Sequence, residues 1–338
     1  MGARQRQLTL SFSRLLGQEK AKFLLGRALE SGKLAHAYLF RGPDGVGKQL
    51  FARSLAAAVN CRQRQGMDAC GDCPSCRKYS SENHPDFLVI SPEKGVIKID
   101  RIREMIQALS YPPYESSVRV VLLEDIHTMR PEAANSLLKT LEEPPDNNLL
   151  ILTAAAARDV LITISSRCQV IPFFSLGQEE TAQILLRELP ELDPETARLL
   201  ARLSEGCPGQ ALLLYRKEMV AIWREVVALL ADPGHDGSRD VGLLLQAAET
   251  MAALKEDLLP LLGLLRIWLR DLLFSDSLGQ DGHGSAAMGE GAHGNKLRCW
   301  NFRQLFDKLH AVDRAEKELG RNCSRTLVCE VLLFQLQQ

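Results

Sequence analysis

Residues 42–49 read Gly42-Pro43-Asp44-Gly45-Val46-Gly47-Lys48-Gln49, and this stretch decides the fold. A short apolar run, Ala37 to Phe40, precedes it, and a helical pattern from about Lys48 to Val59 follows. Strand, glycine-rich turn and helix in that order meet the G-x4-G-K part of a phosphate-binding loop. Glycines let backbone N–H groups converge on phosphate oxygens, and the helix N-terminus adds positive potential. Gly42, Gly45, Gly47 and Lys48 are therefore the candidate cofactor-binding residues for ATP or ADP, with Lys48 reaching the outer phosphates. The last position departs from the pattern. Gln49 stands where a Ser or Thr hydroxyl ligates magnesium, and an amide oxygen is a poorer ligand there. The expectation is a loop that keeps its architecture, with nucleotide bound weakly or not at all.

Working outward, apolar runs alternate with helical stretches. Asp86 to Ile90, Arg119 to Leu123, Leu149 to Thr153 and Gln169 to Pro172 read as strands; Ile99 to Leu109 and Pro131 to Glu143 read as helices. That alternation predicts a parallel α/β sheet with right-handed crossovers. Beyond about Leu176 the strand signals stop. Glu179–Glu188, Asp193–Ser204 and Gly209–Tyr215 read as short helices, and from Lys217 onward the pattern is helical throughout. It is interrupted at residues 275–296, which are rich in glycine and read as a flexible loop between two helices. His283 and His293 in that loop read as solvated residues rather than metal ligands.

The strand Arg119–Leu123 ends in Glu124-Asp125. In ATPases of this architecture the strand end delivers an Asp to magnesium and then a Glu to polarise water. Here the order is reversed, so one carboxylate is a methylene too long and the other a methylene too short. Misplacement by ~1 Å can lower a rate ~100-fold, and the pair reads as non-catalytic.

Four of the nine cysteines fall within sixteen residues as Cys61-x8-Cys70-x2-Cys73-x2-Cys76. Four thiolates suit tetrahedral zinc, and four protein ligands leave no open position, so such a zinc would be structural. An iron–sulfur run is the alternative, but no C-x3-C-P follows; free or redox-active thiols are a third reading. Cys168, Cys207, Cys299, Cys323 and Cys329 are scattered and read as reduced thiols.

With 338 residues, the chain has room for two or three domains at roughly 150 residues each. Hydrophobic residues make up 46% and charged residues 25%, which argues against disorder, a coiled-coil rod or a collagen-like chain. Leu258 to Leu273, the most apolar stretch, is broken by Pro260, Arg266, Arg270 and Asp271, short of the ~20 apolar residues of a membrane span. The first residues lack the apolar core of a signal peptide, so a cytoplasmic protein is expected. A net charge of −1, from 41 basic and 42 acidic residues, excludes a strongly basic nucleic-acid coat.

Three further stretches carry a resemblance. His36-Ala37-Tyr38-Leu39-Phe40 leads into the phosphate loop. Ala134-Asn135-Ser136-Leu137-Leu138-Lys139-Thr140-Leu141-Glu142-Glu143-Pro144-Pro145 and Ser166-Arg167-Cys168 follow the cysteine cluster. In this combination the chain resembles the clamp-loader ATPase family of the AAA+ class. The resemblance covers about Leu16 to Gln210, with a looser match at Arg321-Asn322 and in the leucine-rich last helix.

That resemblance implies an α/β plus all-α protein with three domains. An AAA+ parallel-sheet P-loop domain spans 1–175, with an inserted zinc module at about 60–80. A small helical lid spans 176–216, and a helical C-terminal collar for oligomerisation spans 217–338. It implies that Arg167 is an arginine finger supplied in trans, the single catalytic candidate, reaching the ATP site of a neighbouring subunit. The family's active members carry a sensing arginine in a Gly-Ser-x-Arg pattern. This chain reads Gly206-Cys207-Pro208-Gly209-Gln210, with Gly209 at the arginine's place. The implied partners are gamma/tau and delta clamp-loader subunits in a hetero-pentamer, with the sliding clamp and primer–template DNA reached through the complex and no membrane. The chain itself then reads as a non-catalytic component of a DNA polymerase III holoenzyme. One rival, an ATP-hydrolysing gamma/tau-type subunit, calls for Ser or Thr at position 49 and Asp-Glu at 124–125. The other, a stand-alone zinc-dependent nucleic-acid-binding protein, calls for a basic, aromatic-studded cysteine loop; Arg62, Arg64, Arg77 and Lys78 are present, with Tyr79 the one nearby aromatic.

Overall fold

The computed structural model describes residues 10–155, 160–231, 241–277, 300–321 and 323–337. The chain divides into two compact units: Met1–Ile184 with Glu205–Gln210, and Leu185–Ser204 with Ala211–Gln338.

The first unit is built on five strands, β1 (Ala37–Arg41), β2 (Phe87–Ile90), β3 (Arg119–Leu123), β4 (Asn148–Ala154) and β5 (Gln169–Pro172). They form one sheet in the order β2-β3-β4-β1-β5, every pair parallel. β3 and β4 are buried along their whole length, as their unbroken apolar runs require of strands covered on both faces. Side chains alternate between the faces. Tyr38, Phe40, Val120, Leu122, Leu149 and Ile151 pack on one face with α1 (Glu19–Ser31) and α2 (Lys48–Val59). Ala37, Leu39, Val121, Leu123, Leu150 and Leu152 pack on the other with α4 (Ile99–Leu109) and α5 (Pro131–Glu142). The result is a helix–sheet–helix sandwich with two cores. Between β1 and α2 an aromatic cluster pins the helix to the sheet: Phe51 meets Phe12 at 5.6 Å and Phe173 at 5.1 Å, and Phe173 meets Phe40 at 5.1 Å.

Every expected strand is present; β1 runs one residue further, β4 one residue further at each end, and β2 starts one residue later. Asp86 lies just outside β2; its carboxylate is tied to the 114–116 backbone instead. Two helices of this unit had no expectation attached, α1 and α3 (Pro74–Ser80); a further single turn, α6 (Ile162–Ser165), precedes Ser166. α7 (Gln178–Glu188) and α9 (Pro208–Arg216) match the expected helices to within a residue.

The second unit is helical: α8 (Pro194–Leu203), α10 (Met219–Ala231), α11 (Val241–Ala253), α12 (Leu258–Ser277), α13 (Phe302–Gly320) and α14 (Arg325–Gln337). α13 opens with a capping box, Gln304 N–H donating to Asn301 Oδ1 and Asn301 N–H to Gln304 Oε1, both at 2.9 Å. Lys308, 3% exposed, donates to Leu336 O at 2.6 Å and sits 4.7 Å from the centre of the Trp300 ring. A cation among the last carbonyls of α14 offsets the negative end of that helix. His283, His293, Cys299 and Asn322, and most of the expected loop 275–296, lie outside the described residues. Among the described residues no helix is long and apolar enough to cross a membrane.

Candidate functional site

Gly47, at φ 100°, caps α2 and turns the chain from the phosphate loop into the helix. Lys48 is 6% exposed, and its ammonium folds back onto the loop. It donates to Gly42 O at 2.6 Å, to Pro43 O at 2.9 Å and to Asp44 Oδ1 at 2.9 Å. Gln49 is exposed at the start of α2. The turn 206–210 lies directly on this loop. Gly209 N–H donates to Gly45 O at 2.8 Å. A Cβ on Gly209 would lie 2.8 Å from Gly45 Cα, and one on Gly45 would lie 2.7 Å from Gln210 N. The position that carries a sensing arginine in active relatives by the resemblance is thus a backbone-on-backbone contact that leaves no space for a side chain's first carbon.

The acidic pair at the end of β3 is divided by its surroundings. Glu124, 8% exposed, accepts a hydrogen bond from Ser91 Oγ at 2.7 Å. Asp125 adopts φ 50°, and its N–H donates to Thr153 Oγ1 at 3.0 Å. Burial raises the Asp125 carboxyl pKa and the Asp44 carboxylate raises it further, against a smaller pull from His127 and Lys48. Asp125 therefore senses the phosphate loop, while Glu124 is committed to Ser91. Thr153 was missed in the sequence; a lone polar residue closing the apolar run of β4 was the available signal.

The four cysteines converge. Their sulfur atoms all lie within 4.8 Å of one another. Cys61 follows α2, Cys70 lies in the polar loop, Cys73 caps α3 and Cys76 sits in its first turn. Backbone N–H groups point at sulfur: Cys70 N to Cys61 Sγ at 3.2 Å, Cys73 N to Cys70 Sγ at 3.4 Å and Cys76 N to Cys73 Sγ at 3.5 Å. Burial would raise the Cys73 pKa, but N–H donors from Arg62 and Cys76 outweigh it and bring the thiol to about 6. Tetrahedral zinc with bonds of about 2.3 Å needs sulfurs about 3.8 Å apart, so a contraction of under about 1 Å would close this cluster on a metal. The group fits: four free thiols, backbone donors that lower the Cys70 and Cys73 pKa values while burial raises those of Cys61 and Cys76, and a partly buried setting.

Beneath this module lies a buried polar network that the sequence did not announce. Asp86, 0% exposed, accepts from Tyr114 N at 2.6 Å, Glu115 N at 2.9 Å and Ser116 N at 2.9 Å, with Arg119 Nη2 at 3.6 Å. His84 Nδ1 accepts from Asp86 N–H at 3.2 Å, which leaves Nε2 to carry the proton, near Ser75 Oγ at 3.2 Å and Ser116 Oγ at 3.3 Å. A histidine so oriented cannot take a proton from either hydroxyl, and the group is structural.

Arg167 stands in the turn that follows α6, its side chain 32% exposed. Nη1 donates to Thr163 O at 2.9 Å and to Ser166 Oγ at 3.3 Å, and Nη2 donates to Glu142. Leu161 and Ile162 beside it are 47% and 86% exposed. Cys168 is partly buried, and burial pushes its thiol up to about 12, where it is inert at neutral pH.

A parallel sheet with a phosphate loop between β1 and α2 defines the P-loop nucleotide-binding class. Within that class, residues 17–177 match the model of the family described as DNA polymerase III, delta subunit. The chain is 29% identical to the DNA polymerase III subunit delta' of Bacillus subtilis, over 95% of this chain and 96% of that one. It is 36% identical to the delta' subunit of Pseudomonas aeruginosa, over 54% of this chain and 56% of that one. It also matches tau subunits, of which it spans about a third, as in Escherichia coli at 32% of the length. Among solved structures it is similar to a DNA polymerase III gamma subunit-related protein of Thermotoga maritima. That likeness has a TM-score of 0.47 and 18% identity, over 94% of this chain and 98% of that one.

Proposed function

We propose that this chain is a delta-prime-like subunit of a bacterial clamp loader. It helps gamma/tau and delta subunits, in a ring of five, to load the sliding clamp onto primed DNA in the cytoplasm. It hydrolyses no ATP itself and lends Arg167 to the ATP site of a neighbour. The residues divide into a lid at 176–216 and a collar at 217–338, and the cysteine cluster holds one structural zinc. The observation that carries this reading is an asymmetry. Gln49, the reversed Glu124–Asp125 pair and the Gly209–Gly45 contact all act against ATP turnover in the chain's own site. Arg167, by contrast, lies at the surface beside two exposed apolar residues, Leu161 and Ile162, that suit a protein neighbour. The full-length likeness to a delta' subunit supports the same assignment.

A guanidinium at a γ-phosphate stabilises transition-state charge, and losing one lowers turnover at that site ~10³-fold or more. The test is a reconstituted complex carrying Arg167→Ala. Assembly stays intact while DNA-stimulated ATP hydrolysis and clamp loading fall. Arg167→Lys rescues poorly, because an ammonium lacks the planar fork. Normal turnover in a fully assembled Arg167→Ala complex would make the residue a bystander.

A further inference from the structure

Arg167 is already engaged within its own chain. A guanidinium carries five N–H hydrogens. Both on Nη1 are used, by Thr163 O and Ser166 Oγ, and one on Nη2 is used by Glu142 Oε1. Nε is buried and has no hydrogen-bond partner. One hydrogen is left to offer outward, on Nη2. A firm grip on a phosphoryl group takes two parallel N–H donors, so this pose supplies half of it.

One of the three acceptors has to let go for the grip to form. Thr163 O and Ser166 Oγ are neutral and belong to the same turn as Arg167, so they move with it. Glu142 differs on both counts: it is the last residue of α5, and it carries the charge that competes with phosphate for the same cation. A carboxylate left beside a γ-phosphate would also repel it.

We propose that Glu142 is the resting counter-ion of Arg167. It holds the guanidinium on the chain's own surface until the phosphate of a nucleotide bound to a neighbouring subunit displaces it. This deepens the finger reading and rests on it. Glu142 is a positioning residue here, since it meets Arg167 and never the nucleotide. The exposure of the pair suits the role: the side chains are 32% and 49% exposed, and ion pairs so open to water are weak. A contact of that strength orients the arginine without locking it.

The experiment reconstitutes the clamp-loader complex with the wild-type chain, Glu142→Gln, Arg167→Ala and the double variant. Glutamine keeps the shape and one acceptor but drops the charge. Two quantities are read: kcat and KM for ATP with clamp and primed DNA, and the affinity of the chain for the ATPase subunit with a non-hydrolysable ATP analogue. Glu142→Gln is expected to lower KM and tighten that association about two- to fivefold, the range of an exposed ion pair, with no change in kcat. The gain vanishes in the Arg167→Ala background. Glu142→Asp keeps the charge with a shorter reach and falls between wild type and Glu142→Gln. Three outcomes overturn the counter-ion: a kcat loss matching Arg167→Ala, which would place Glu142 in the working site; no difference from wild type; or the same gain without Arg167. Full turnover by Arg167→Ala itself would instead remove the finger, and the counter-ion with it.

Discussion

Asp86 is a carboxylate with no access to water that stays ionised. Burial alone would raise its pKa, but three backbone N–H donors from residues 114–116 and the Arg119 guanidinium outweigh that and hold it below the usual carboxylate range. The folded protein thus binds this proton more weakly than the unfolded chain does. The resulting stability is complete above the unfolded value of about 4, and it is lost as pH falls through the folded pKa. Asp86→Asn should lower stability at pH 7 by about 3 kcal/mol, because it leaves Arg119 buried beside a neutral group. In denaturant titrations from pH 7 to pH 3, the gap between variant and wild type should narrow below about pH 4. A constant gap across that range would show that the charge is not what matters. None of this was legible in the sequence. Asp86 reads as the first residue of a strand, because its partners lie 28 to 33 positions further along and reach it only through the fold.

At the scale of elements, legibility followed the apolar pattern. β3 and β4 are continuous apolar runs, and the phosphate loop fixes the boundary between β1 and α2 by its own chemistry. α3 escaped because it is seven residues long and polar on most faces, and metal-ligand spacing dominated the reading of that stretch. The cluster itself was readable, since Cys73 and Cys76 cap and open one helix and the C-x2-C spacing places their sulfurs together. The same observation carries a prediction. The module has little core beyond Cys73, Cys76 and Tyr79, and segments of that size rely on a metal for their fold. Metal analysis of the purified chain should give close to one zinc per chain. Removing it by chelation should loosen residues 61–80 while the sheet, with apolar cores on both faces, stays folded. Hydrogen exchange separates the two: amides of α3 gain exchange and those of β3 and β4 do not. A folded chain with four titratable thiols and no metal would contradict this.

At the scale of the whole molecule, the proposed reading is of a chain that keeps the phosphate-loop sheet while Gln49, the order of Glu124 and Asp125, and Gly209 depart from what hydrolysis needs. The glycine-rich loop and Arg167 were both visible in the sequence. What each is bonded to was not, because Lys48 meets the carbonyls of its own loop, Gly45 meets Gly209, and Arg167 meets Glu142 from 25 positions away. These contacts sharpen the expectation for Lys48. In a working site its ammonium would serve the outer phosphates, and its loss would stop the cycle. Here three acceptors of its own loop hold it, and the turn 206–210 covers Gly45. Its contribution is then local packing of the loop, an effect on the order of 1 kcal/mol for hydrogen bonds of this kind. The isolated wild-type chain should therefore show no ATP turnover above background. In a reconstituted clamp-loader complex, Lys48→Ala should leave DNA-stimulated ATP hydrolysis within about twofold of wild type, below what ~1 kcal/mol at the transition state would do. Under the proposed finger role, Arg167→Ala in the same assay should lower it far more, because it would remove a charge from a neighbour's γ-phosphate. The order of the two effects is the decisive reading. A Lys48→Ala complex as defective as Arg167→Ala would mean that nucleotide at this chain's own loop takes part in the cycle, despite Gln49 and the reversed acidic pair.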